Sequence, residues 1–505
     1  MKKTPPKKRR RGAIIAFEMV RLDRAAAEPL HQQLYRQVRD QLRSGSFNGG
    51  AARLPSSRAL ATDLGISRLT VNQAFAKLYS EGYLVTRAGS GTFVADPLPE
   101  QFLSANGRSV TPVHERPPRV SARTREIPDA RGRQAFDLGA TGAPAGMAFV
   151  PGLPAVDEFP IDVWERLRAQ VLAKKGAHLL RYASSRGEAD LRQAIAAYLC
   201  DFRGARCHAD QIVVTAGMQQ AMLIAAMTLA DPGERVWIED PGFHQARRVF
   251  AFAGTKIVPK PMDREGIVLH RAPRERAPRL IYVTPSHQFP TGITMSAQRR
   301  AALIEFAAAT DAYVLEDDYN SEFRFDGPPL PCLQGLDASG RVIYAGTMSK
   351  ILFPSLRLGY LVVPEQLVDA VTKVRSVMDQ HSPAIDQATL ARFITEGFFL
   401  SHVKRIRKIY AERRAFFVEE FQKRLGEHFR LEPSEAGLHF VAWLRRPEEF
   451  ASMQQLRAEV GIAPTPLSFF CIEAKVPPAF LFGFAAWTPA QMRAGIAKLA
   501  ARLAR

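Results

Sequence analysis

The chain has 505 residues and a formal net charge of +19, with four cysteines. That length exceeds one ordinary hydrophobic core and predicts at least two domains. The four cysteines, Cys200, Cys207, Cys332 and Cys471, are scattered and form no C-x-x-C pair, which excludes a disulfide framework and a cysteine metal site and makes a reducing cytoplasm the expected compartment.

The charge is uneven along the chain. Residues 1–100 carry 17 Lys and Arg against 8 Asp and Glu, and residues 101–136 carry 7 against 3, so the excess points to a polyanionic partner for the N-terminal part. Residues 1–28 read as a basic extension. Its apolar run Ala13 to Phe17 is stopped by Glu18 and is shorter than the roughly 7–15 residues of a signal peptide. No run approaches the roughly 20 apolar residues of a membrane helix, so no membrane partner is expected.

A DNA-binding domain is predicted over residues 29–95. From Pro29 to about Ser44, Leu30, Leu34, Val38 and Leu42 recur every fourth position and mark one face of an amphipathic helix. Leu54-Pro55-Ser56-Ser57 places a capping serine before a second helix, and Gly65-Ile66-Ser67 breaks that helix and caps the next. The third helix starts at Arg68, with Val71, Phe75, Leu78 and Tyr79 facing inward. Two helices joined by a short Gly-containing turn form a helix-turn-helix, whose second helix presents its first residues to the major groove. The β-rich runs Tyr83 to Arg87 and Gly91 to Val94, flanking Ala88-Gly89-Ser90, predict a hairpin wing.

This stretch resembles the winged helix of the GntR family of bacterial regulators through Leu54-Pro55-Ser56-Ser57-Arg58, Ser67-Arg68 and Gly89-Ser90-Gly91-Thr92. The resemblance implies DNA contacts from Arg58, Ser67, Arg68, Thr70, Asn72 and Gly89, while Leu69 stands where many members carry a polar residue. Arg68, at the start of the recognition helix, is placed for guanine edges, and Arg58 for a phosphate, a helix cap or a base.

Residues 96–136 hold six prolines and seven arginines with little apolar periodicity, and read as a linker. A flexible chain of about 40 residues spans about 35 Å, enough for two heads to reach separated half-sites. Beyond it, residues 137–505 alternate short apolar strands with helical segments. The strands are predicted at 212–215, 236–239, 280–284, 313–316, 342–345 and 359–363, which implies helices packed on a largely parallel sheet. Ligands bind such sheets beyond the carboxyl ends of the strands, and Gly217, Phe243, His287, Asp317, Tyr319 and Lys350 each lie at or just past a predicted strand end.

The constellation suits pyridoxal phosphate. Lys350 lies in Gly346-Thr347-Met348-Ser349-Lys350, seven residues before Arg357 and 33 after Asp317. A Schiff-base lysine on this cofactor needs an acid under the pyridine nitrogen and a cation at the phosphate. Gly217-Met218-Gln219 opens a helix whose free N–H groups suit a phosphate, and Arg357, Thr347 and Ser349 complete an anion cup. Asp317 stays ionised beneath a protonated ring nitrogen. Tyr319 suits the phenolic oxygen, and Phe243 is either a ring-stacking partner or core filler. Cys200, Cys207, His208 and His439 read as structural, and no metal site is predicted.

Residues 145–500 resemble the fold-type I aminotransferases, and the whole chain is similar to the MocR subfamily of GntR regulators. The motifs are Tyr182 with Gly187, Glu239-Asp240-Pro241-Gly242-Phe243, Thr284 to Gly292, Glu316-Asp317-Asp318-Tyr319, and Ser349-Lys350 with Arg357. The fold so implied is a winged helix joined to a three-layer α/β transferase domain. By resemblance Lys350 is the Schiff-base lysine, His287 or Gln288 lies by the phenolic oxygen, and Tyr182 reaches the phosphate of a neighbouring subunit, so a homodimer is expected. Enzymes of this fold commonly hold the substrate carboxylate with an arginine in a late strand. The segment Phe480-Leu481-Phe482-Gly483-Phe484 has none. The expected function is a transcription regulator that binds operator DNA and senses an amine, an amino acid or the cofactor itself; the alternative is a working aminotransferase that also binds DNA.

Overall fold

The computed structural model describes residues 20–44, 52–87, 90–99, 121–127, 148–270, 276–325, 330–432 and 435–503. The chain divides into two compact units, Met1–Pro118 and Arg119–Arg505. That boundary falls inside the Pro/Arg-rich segment, and the described part of the segment beyond it, residues 121–127, contains a short helix, Ala122–Glu126, capped by Ser121.

The first unit holds α1 (Leu30–Arg43), α2 (Ser57–Asp63), α3 (Arg68–Ser80), β1 (Leu84–Arg87) and β2 (Gly91–Val94). Ser56 Oγ accepts from Ala59 N at 3.1 Å and Ser67 Oγ from Thr70 N at 3.0 Å, satisfying helix-start donors that otherwise have no partner. Leu34, Val38, Leu42, Leu60, Val71, Phe75 and Leu78 are buried together. Tyr79, expected inside, is half-buried because its hydroxyl meets Thr92 Oγ1 at 2.6 Å, tying α3 to the wing. β1 and β2 pair antiparallel from Leu84↔Val94 to Arg87↔Gly91.

In the second unit an eight-stranded sheet runs in the order β3-β10-β9-β8-β7-β4-β5-β6. Its strands are β3 (Ile212–Thr215), β4 (Arg235–Asp240), β5 (Lys256–Asp263), β6 (Gly266–Ile267), β7 (Leu280–Val283), β8 (Tyr313–Asp318), β9 (Val342–Thr347) and β10 (Gly359–Val362). All six expected strands are present. The sheet is largely parallel, as expected: β9, β8, β7, β4 and β5 are mutually parallel, while β10 runs antiparallel to both β3 and β9 and β6 antiparallel to β5.

Alternate residues of β3 define three layers. Ile212 and Val214 pack with the helices Ile161–Leu179, Ala189–Arg203 and Ala384–Thr395, and Val213 packs on the opposite face with the helix Met218–Leu229. Burial on both faces explains why these strands are continuously apolar rather than alternating. A second, antiparallel sheet comprises β11 (Phe429–Glu432), β12 (His439–Leu444), β13 (Thr465–Pro466) and β14 (Ala479–Gly483), in the order β11-β12-β14-β13.

Candidate functional site

At the carboxyl end of β3 the chain turns through Gly217, at φ +93°, into the helix Met218–Leu229. Only glycine holds this conformation without strain. Ala216 N donates to Gln220 Oε1 at 2.7 Å, and Arg357 Nη2 donates to Ala216 O at 3.0 Å. Arg357 adopts φ +51°, a strained conformation for a side chain of its size, just before β10. Its guanidinium covers Gly217, where an added Cβ would lie 3.4 Å from Nη2. Met218 is half-buried; the side chain of Gln219 is exposed, so what it offers this turn is its backbone N–H. Thr347 ends β9 and its Oγ1 accepts from Ser349 N at 3.3 Å, while Ser349 Oγ is buried with no partner.

Asp317 projects from β8. Tyr282, on the neighbouring β7, donates to its Oδ2 at 2.5 Å, and its Oδ1 is buried without a partner. Desolvation pushes the Asp317 carboxyl up to about 7 against the opposing Tyr282 hydrogen bond and the Lys350 charge. Lys350 Nζ donates to Gly152 O at 2.9 Å. Burial pulls the Lys350 amine down to about 8, Asp317 opposing and Arg357 assisting.

Tyr319 lies 2.8 Å from His287 Nδ1, and Asn320 Nδ2 donates to the same nitrogen at 3.4 Å. Nδ1 is therefore an acceptor, and the Tyr319 hydroxyl is the donor. Gln288 separates from its neighbour: its amide donates to Glu239, Pro241 O and Phe289 O, and its oxygen accepts from Thr291. The Gln288 side chain is thus spent tying the 284–292 loop to itself and to the end of β4. Phe243 precedes the helix His244–Phe252 and meets Phe289 edge-on at 5.6 Å. Tyr182 is 89% exposed, and its ring meets His381 at 6.2 Å.

Three contributors were not legible as site residues. Gly152 acts through its carbonyl, which no side-chain pattern reveals. Tyr282 is a lone hydroxyl in an apolar strand, and that is the signal available for it. His439, read from the sequence as structural, packs its ring 5.4 Å from His287. In the head, Arg58, Ser67, Arg68 and Asn72 are exposed and Thr70 is half-buried. Leu69 is 67% exposed. Arg68 Nε approaches Ser57 Oγ at 3.3 Å. Gly89 lies outside the described residues.

Residues 30–94 match the family described as bacterial regulatory proteins, gntR family, and residues 154–499 match aminotransferase class I and II. Over 486 residues the chain is 39% identical to the probable rhizopine catabolism regulatory protein MocR of Rhizobium meliloti, covering 95% of each. The chain is a MocR-type member of the GntR regulators. This MocR-type chain is also 33% identical to the regulator TauR of Rhodobacter capsulatus, over 94% of its length and 96% of the relative's. It is 31% identical to the pyridoxine biosynthesis regulator PdxR of Corynebacterium glutamicum, over 90% and 91%.

The aminotransferase-like unit of the MocR-type chain is similar to the kynurenine aminotransferase of Pyrococcus horikoshii solved in complex with PMP, at a TM-score of 0.69 and 26% identity over 76% of this chain and 96% of that one. The protein is a DNA-binding transcriptional regulator, and its aminotransferase-like domain takes pyridoxal phosphate. The residues present fit that group: an orphaned Asp317 Oδ1 suits one ring N–H, and the Gly217 cradle under Arg357 suits one phosphate, with Ser349 Oγ a further buried hydroxyl that has no partner. Among the described residues no His, Cys, Asp and Glu cluster could hold a metal ion, and no helix is long and apolar enough to cross a membrane.

Proposed function

We propose that the aminotransferase-like unit is the sensor of this regulator, responding to a primary amine or amino acid, or to pyridoxal phosphate itself, and changing how the winged helix engages its operator. When bound, pyridoxal phosphate supplies an electrophilic carbon that reacts reversibly with primary amines. Lys350 is the amine that holds it, the Asp317 carboxylate accepts from the ring N–H, and Tyr319 with His287 lies by the phenolic oxygen. Gly217, Met218, Gln219, Thr347, Ser349 and Arg357 take the phosphate, with Phe243 against the ring. Arg68, Arg58, Ser67, Thr70, Asn72 and Gly89 contact DNA, Arg68 reading bases.

The observation that carries the sensing reading is Lys350 itself. It is a half-buried amine with its basicity lowered to about 8 and held by a backbone carbonyl, in a chain whose other unit is a DNA-reading head. Turnover is disfavoured because β14 and Phe484 present only apolar side chains, leaving no cation there to hold a substrate carboxylate through a reaction. The protein works as a cytoplasmic homodimer in which Tyr182 completes the partner's phosphate site, a role supported by the exposure of Leu180 at 76%, Tyr182 at 89% and Val377 at 83%.

The test is to titrate amines into cofactor-loaded protein while following its visible band and operator binding at one fixed salt concentration. Coupled changes in both are expected, because an effector shifts the head only through its differential affinity for two states. A spectral change with unaltered DNA binding would sink the regulatory reading, and sustained keto-acid production would favour the enzyme.

A further inference from the structure

On α3 the buried residues Val71, Ala74, Phe75 and Leu78 hold the helix to the rest of the head. The opposite side is open. Leu69, Asn72, Gln73 and Ala76 are exposed and follow one another at helical spacings of three and four, so they form one stripe facing away from the core. Leu69 opens that stripe at 67% exposure; Val85, on the wing, follows at 40% among the large apolar side chains of this unit. It therefore stands on the turn whose side chains a helix-turn-helix presents to the major groove.

The hydroxyls beside it have partners within the turn. Ser67 Oγ accepts from Thr70 N at 3.0 Å and lies 2.8 Å from Thr70 Oγ1. Between these two stand Arg68 and Leu69, both exposed, one a cation and one apolar. Major-groove edges present hydrogen-bonding atoms, and the apolar group among them is the C5 methyl of thymine. A leucine pressed on a donor or acceptor strips it of water and returns no hydrogen bond, whereas against the methyl both partners remove apolar surface from water. Consecutive Cα atoms lie about 3.8 Å apart, close to the roughly 3.4 Å rise of a base pair. The bases met by Arg68 and Leu69 are therefore near neighbours.

We propose that Leu69 is a specificity-determining residue of the head: it packs on the C5 methyl of one thymine per head, close to the guanine read by Arg68, and makes thymine the preferred base at that position. This rests on the base-reading role of α3 proposed above and names a second base for that helix. It is independent of what the aminotransferase-like unit senses.

The test uses full-length, cofactor-loaded protein at one fixed salt concentration. Binding sites are first selected from a random duplex library. Each thymine of the selected site is then replaced singly by deoxyuridine, which keeps the base pairing and every hydrogen-bonding atom and removes the methyl alone. Replacement at one thymine per head is expected to weaken binding about fourfold, the worth of one buried methyl-sized group. Leu69→Ala is expected to bind the thymine and uridine sites equally, and to match wild type on the uridine site to within about twofold. Leu69→Met, which keeps an apolar end, should retain a preference for thymine. Because Leu69 is exposed, neither change opens the core of the head, and both thermal melts should match wild type. A uridine series without effect on wild type, or a uridine penalty that persists in Leu69→Ala, would overturn the proposal and leave base reading by Arg68 intact. A selection that yields no preferred sequence would remove the base-reading role of α3 and this inference together.

Discussion

The guanidinium of Arg357 covers Gly217 so closely that a Cβ on the glycine would sit 3.4 Å from Nη2. The cation is therefore held over the exposed N–H groups of a helix start, and one anion placed there meets both. Arg357→Gln is expected to raise the dissociation constant for pyridoxal phosphate about 10- to 100-fold, the loss of one charge-assisted hydrogen bond of about 1.5–3 kcal/mol. Pyridoxal without its phosphate is expected to bind wild type and variant equally. Equal losses for both ligands would place the phosphate elsewhere.

Lys350 makes cofactor capture depend on pH. The reactive form is the neutral amine, and burial lowers its pKa from 10.5 to about 8. The rate at which stripped protein takes up added cofactor is expected to climb through about pH 8 and then level off, and Lys350→Met should show no such uptake. Folding carries the matching sign. Between about pH 8 and 10.5 the unfolded chain binds the extra proton, so the penalty of this lysine is full below 8 and relieved as pH rises. Thermal melts of stripped protein should show Lys350→Met more stable than wild type at pH 7, with the gap closing by pH 10.

Arg68 opens α3 with its side chain exposed. A base-reading arginine contributes to the specific site and little to random sequence. Arg68→Ala is expected to cost about 1–3 kcal/mol on the operator with a small change on non-specific DNA. Equal losses on both, measured at one salt concentration, would reduce Arg68 to a phosphate contact.

How much of this was written in the sequence depended on the type of signal. The six central strands showed themselves because burial on both faces leaves unbroken apolar runs such as Ile212-Val213-Val214. β5 did not, since Pro259 and Pro261 interrupt it and much of it is half-exposed. The antiparallel course of β10 was hidden because strand direction leaves no mark on composition. Asp317, Lys350 and Arg357 were legible from spacing and chemistry. His439 was not, because its position is set by pairing between β12 and β14, more than 30 residues apart in the chain.

Asp240 is a latch that the sequence disclosed only as part of a motif. Its two oxygens accept from Ile472 N, Glu473 N and Ala474 N, each at 2.7 Å, and it is 3% exposed. Asp240→Ala strands three backbone donors in a dry site, and a loss of about 3 kcal/mol or more is expected in denaturant unfolding. Asp240→Asn keeps one acceptor oxygen and should lose less. Indistinguishable unfolding of wild type and Asp240→Ala would show that water replaces the carboxylate.

Asp317 has one oxygen already committed to Tyr282, so the other, buried without a partner, is the oxygen left to receive a ring N–H. A guest whose ring offers C–H at that position would leave a carboxylate oxygen unsatisfied away from water. Even with an intact phosphate and aldehyde, a 1-deaza analogue of the cofactor should therefore be rejected by a site that, at this corner, counts hydrogens.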